Sequence, residues 1–139
     1  MKKDVIVDIT GIEIIDDEDE KISVITTGKF YKKEDAYYIV YDEILENKET
    51  QKTTLKVKNN NHVTMTRFGN NKTQLIIENG VRHQCFYQTE YGGITIGIMG
   101  DQIKNALSED GGELFFSYTL DINTNLSSEH KLTIKIKPQ

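Results

Sequence analysis

Arg67 is the residue of this sequence best placed to bind something. It lies in phase with Val63 and Met65 in the alternating segment Val63 to Phe68. Alternate residues of a strand share a face, so a core that takes Val63 and Met65 takes a guanidinium with them. A buried charge needs partners. Tyr41 and Glu43 continue the face of Tyr37 and Ile39, and Tyr118 continues that of Leu114 and Phe116. A lumen holding Arg67, Glu43, Tyr41 and Tyr118 suits a small polar or anionic ligand. A guanidinium grips carboxylate or phosphate through parallel N–H bonds, and hydroxyls fix orientation. The plainer reading is an internal Arg67–Glu43 ion pair that serves the fold, or strand ends that reach solvent.

Other constellations carry less. His83 and Cys85 are one residue apart and share a strand face, but a thiol nucleophile also needs an oxyanion site, and a free cysteine is commonly a small buried hydrophobe. The acidic run Asp16–Glu20 lacks the spaced ligands and central glycine of a calcium loop and reads as a solvated turn. His62, His83 and His130 form no metal-ligand spacing. Gly92-Gly93, Gly97 and Gly100 surround a strand, not a strand-to-helix phosphate loop. No serine nucleophile elbow is present. An enzyme is therefore the last of the functional classes, and no cofactor or metal is expected.

These side chains must be positioned by strands. Period-two alternation dominates and is restarted repeatedly by turns. Val5, Val7 and Ile9 share one face of the first segment, Val5 to Ile15. Ile12 and Ile14 then carry apolar character on the opposite parity across Gly11, which predicts a bulge or bend there. Strands follow at Lys21–Lys32, Tyr37–Leu45, Lys52–Lys58, Val63–Phe68 and Thr73–Glu78. Asn79-Gly80 is a strong hairpin signal. Gln84–Tyr91, Gly93–Met99, Glu113–Asn123 and Lys131–Lys137 complete the series. Asp101 to Ser108 is the one segment that reads as a short helix or as another strand. Eight to ten short strands joined by tight turns predict an all-β, closed antiparallel up-and-down barrel, since closure removes exposed edges. A two-sheet sandwich is the alternative.

Composition agrees. The chain has 139 residues, 37% hydrophobic and 28% charged, with one Pro and no Trp. That is the size of a single domain spanning residues 1–139, large enough for its own core. The net charge of −5 argues against nucleic acid and anionic membranes as partners. The single cysteine, Cys85, rules out an internal disulfide and suits a reducing compartment. The N-terminus shows no apolar signal region and the chain is read as cytoplasmic.

The segments Tyr37-Tyr38-Ile39-Val40-Tyr41-Asp42-Glu43, Thr54-Leu55-Lys56-Val57 and Val63-Thr64-Met65-Thr66-Arg67-Phe68-Gly69 resemble, in order and spacing, those of the YwiB-like family of uncharacterised bacterial β-barrel proteins. The resemblance resumes at Tyr87-Gln88-Thr89-Glu90-Tyr91-Gly92 and at Gly112-Glu113-Leu114-Phe115-Phe116-Ser117-Tyr118. It implies a lipocalin-like, or calycin-like, barrel and brings no activity with it. The matching segments add Thr89 to the site candidates Tyr41, Glu43, Arg67 and Tyr118.

Two functions follow as expectations. One is a binding module that holds a small ligand in the lumen. The other is a non-enzymatic structural or interaction domain, with a homodimer as its simplest assembly.

Overall fold

The computed structural model describes residues 2–44, 48–69, 72–89 and 92–139, with the side chains of all of these except Gln88 and Thr89. It is all-β, with no helix among the described residues. The strands are β1 (Lys3–Ile15), β2 (Glu18–Lys33), β3 (Ala36–Ile44), β4 (Thr50–Lys58), β5 (His62–Phe68), β6 (Thr73–Glu78), β7 (Arg82–Thr89), β8 (Gly92–Ser108), β9 (Gly111–Ile122) and β10 (Asn125–Pro138).

They form one ten-stranded antiparallel sheet in the order β6-β5-β4-β3-β2-β1-β10-β9-β8-β7. Every chain neighbour is a hydrogen-bonded neighbour except β6 and β7, which are the two edges of the sheet. The sheet curls until these edges meet. Asn79-Gly80 makes the expected tight turn, bridged by Glu78 and Val81, and beyond it the strands part. The seam is crossed by side chains instead of a ladder. His83 Nε2 lies 2.9 Å from Glu78 Oε1, and the Ile76 N–H donates to Cys85 Sγ at 3.5 Å. The barrel is thus nearly closed.

Two sequence expectations change here. Residues 101–108 are strand, the far half of β8, which pairs with β9 from Gln102↔Ser117 to Ser108↔Gly111. Asp101 sits in a register shift between Gly100 and Gln102, and that irregularity blurred the alternation. Gly11 is not a bulge, since β1 pairs without interruption to β2 and β10 through Gly11↔Ile22 and Gly11↔Leu132. The inward parity of Val5, Val7 and Ile9 therefore continues through Gly11 and Glu13. Ile12 and Ile14 face outward.

The bonded rows explain where the core stops. Tyr37, Val57, Val63 and Ile77 lie side by side across β3–β6, and Ile39, Leu55, Met65 and Leu75 form the next row. Most of these side chains are fully buried. The following row is Tyr41, Thr53, Arg67 and Thr73. The opposite wall changes the same way. Leu114, Ile134 and Ile9 are aligned, then Phe116, Leu132 and Gly11, then Tyr118, His130 and Glu13. One end of the barrel is packed with hydrocarbon, and both walls turn polar at the other.

Among the glycines that allow close approaches, Gly28 and Gly97 bear on how the strands are held together. Gly28 faces Tyr41 across the β2–β3 pair, and a Cβ on it would lie 2.4 Å from the Val40 carbonyl oxygen. Gly97 lets Arg82 pass over β8 to Asp121, with Nε–Oδ2 at 2.9 Å and Nη2–Oδ1 at 2.7 Å. This fork ties edge strand β7 to β9. It keeps the Asp121 carboxyl below the usual carboxylate range, chiefly through the Arg82 hydrogen bonds.

Candidate functional site

The polar end of the barrel encloses a cavity of about 400 Å³, open on one side, whose lining includes Arg67, Leu75, Tyr87, Tyr118, Leu120, Ser128 and His130. Glu13, Gly11, Leu132, Ile15 and Ile22 contribute from the strands around its mouth. Gly11 matters by what it lacks, because a Cβ there would meet nothing within 4 Å and the space stays open.

Arg67 enters this space as the alternation of β5 requires. It is half-buried, and its Nε is shielded from solvent with no hydrogen-bond partner among the described residues. No carboxylate lies within ion-pair distance of it among them, so the expected Arg67–Glu43 pair is not formed. Glu43 is occupied otherwise. It accepts from Thr53 Oγ1 at 3.3 Å and lies beside the Tyr41 hydroxyl. Burial pushes the Tyr41 hydroxyl well above its ordinary range, Glu43 pushes it further, and Arg67 opposes both.

On the facing wall Tyr118 and His130 stack across the β9–β10 pair. Burial pushes the Tyr118 hydroxyl up to about 12, against the pull of Arg67. His130 is held below 6.5, first by burial, with Glu13 raising it and Arg67 lowering it further. Its Nε2 lies 2.8 Å from Ser128 Oγ. Arg67 thus influences three aromatic groups on two walls, and none of them neutralises it.

The structure brings Arg67 and Tyr118 together at the cavity and places Tyr41 and Glu43 beside it in a hydrogen-bonded cluster. The Thr89 side chain lies outside the described residues. Sequence reasoning missed Glu13, Ser128 and Tyr87. Glu13 was hidden by the supposed parity change at Gly11. Ser128 precedes the alternating run that marks β10, at a register shift between Leu126 and Ser128. His83 and Cys85 do share a face, but they serve the β6–β7 seam. Among the described residues no group of three or more His, Cys, Asp and Glu side chains is arranged to hold a metal ion. Among the described residues no helix is long and apolar enough to cross a membrane.

Residues 7–134 match the model of a domain of unknown function, DUF1934. No curated protein matches. Among solved structures, the crystal structure of the ywiB protein from Bacillus subtilis is similar, with a TM-score of 0.88 and 22% sequence identity. The likeness covers 99% of this chain and 93% of that one, and at this identity it speaks for the fold alone.

Proposed function

The chain belongs to the DUF1934 family, and from the geometry of its lumen we propose that it is a non-enzymatic binding module, working in a reducing compartment, that takes a small anion on Arg67. The observation that carries this is the shielded Arg67 Nε with no partner among the described residues, beside an open cavity. Leaving a buried donor unpaired costs about 1–3 kcal/mol, and more when it is charged. A carboxylate or phosphate presenting two oxygens side-on to Nε and Nη removes that cost and adds two charge-assisted bonds. Tyr118 and Ser128 supply hydroxyls that orient such a group.

Native mass spectrometry of freshly purified protein tests the reading. A stoichiometric small molecule released on denaturation, and lost in a folded Arg67→Ala variant, is the expected result. A bound molecule that persists in Arg67→Ala would place the site elsewhere.

A second reading draws on the β1–β2 hairpin. Among the described residues β3 covers β2 only from Gly28 to Lys33, so Glu18–Thr27 has no strand beside it on that edge. Ile25 on this stretch is 73% exposed. An open edge of this length is a template for strand pairing, and a second copy is the simplest partner. Sedimentation of the purified protein reads this directly. A monomer at every concentration would remove it.

A further inference from the structure

The charge at the mouth of the lumen opposes the charge inside. Glu13 lines the cavity itself and is aligned with Glu20, while Ile15 is aligned with Glu18. Alternation puts all four side chains on the inner face of the hairpin. Glu13 and Ile15 also border a second hollow of about 360 Å³, edged by Asp16, Glu18, Asp19 and Glu20. Among the described residues none of these carboxylates has a basic partner within ion-pair distance. This rim repels a simple anion that approaches from the hairpin side, and the whole chain, at −5, repels it as well.

Both features are satisfied by one kind of ligand. We propose that the lumen takes a small amphoteric molecule: an anionic group on Arg67, an apolar body against Leu75 and Leu132, and a cationic amine at Glu13 and Glu20. This rests on the reading of Arg67 as an anion site. It adds that the acidic rim selects and steers a cationic end, which a carboxylate rim does for a cation as an arginine does for an anion. Leu75 and Leu132 lie one row on the core side of Arg67 and Glu13, so the ligand's apolar part rests on the floor of the cavity and its two charged ends face the polar rows.

Calorimetric titration at low ionic strength with ε-aminocaproate, caproate and hexylamine tests this on wild type, Glu13→Gln/Glu20→Gln and Arg67→Ala, each confirmed folded by circular dichroism. Wild type should bind ε-aminocaproate about threefold to tenfold tighter than caproate or hexylamine, the scale of partly exposed charge pairs. The double glutamine variant should weaken ε-aminocaproate and strengthen caproate. Should that variant not fold, added salt in wild type reads the same effect, because it screens the exposed rim and must narrow the gap. Equal binding of ε-aminocaproate and caproate, or a parallel strengthening of both in the variant, overturns the amphoteric ligand and leaves the anion site standing. If Arg67→Ala changes the binding of none of the three, the anion site itself falls.

Discussion

The rings of Tyr118 and His130 stack with centroids 4.8 Å apart and planes 12° from parallel, joining β9 to β10 where both walls of the barrel turn polar. The stack buries the imidazole, and burial with the nearby Arg67 guanidinium outweighs the opposing pull of Glu13 and favours the neutral ring. A histidine whose folded pKa is depressed stabilises the fold above its unfolded value and ceases to as pH falls through the folded one. The urea midpoint should therefore decline as pH drops below 6.5, the ordinary value. His130→Phe, which retains a ring for Tyr118, should flatten that decline. An equal slope in the variant would assign the acid sensitivity to other groups.

Tyr118 gives the complementary effect at high pH. Its hydroxyl is moved from 10.0 up to about 12, mainly by burial. The stabilisation is intact below the unfolded pKa of 10.0 and is lost as pH rises through the folded value, a loss on the order of 3 kcal/mol. Spectrophotometric titration should show Tyr118 ionising near 12 and Tyr41 later still. Tyr118→Phe should make the protein less sensitive to alkali.

Gly28 is required by the neighbouring strand. The Val40 carbonyl oxygen that a Cβ would meet at 2.4 Å is backbone and cannot swing away. Gly28→Ala should cost about 1–3 kcal/mol, the scale of overpacking a tight core, measured by chemical denaturation. Gly11→Ala, with nothing within 4 Å of its added methyl, should leave stability nearly unchanged and slightly reduce the room in the lumen.

Gly97 has a different task. Its missing side chain is the passage for Arg82 to Asp121, since a Cβ would lie 2.3 Å from Arg82 Nη2. Gly97→Ala should break the fork, loosen edge strand β7 and lower the melting temperature. Amide exchange should rise first in β7. Asp121→Asn should repeat the effect in milder form.

The barrel was legible because period two survives in nearly every strand, and Leu114, Phe116, Tyr118 and Leu120 leave little choice of face. The inward course of Arg67 followed from the same rule. The nearly closed seam was not legible. Asn79-Gly80 promises a continuous hairpin, yet β6 and β7 separate after one bridge, and the Asn79 and Gly80 N–H groups bond to the Asn61 and Gly100 carbonyls. Glu13 was lost because Ile12 and Ile14 look like core residues and instead face outward. Glu43 is bonded by Thr53 across the β3–β4 pair and not by Arg67, and no spacing along the chain reports it.

The sequence holds two arginines, Arg67 and Arg82, so the Nε–H region of a nitrogen–proton correlation spectrum holds two arginine signals. Arg82 is locked to Asp121 and serves as the internal control. On titration with ε-aminocaproate, the signal that disappears in Arg67→Lys should shift saturably, and the Arg82 signal should stay in place. An Arg67 signal that does not move, or two signals that drift together without saturating, would contradict an anion site in the lumen.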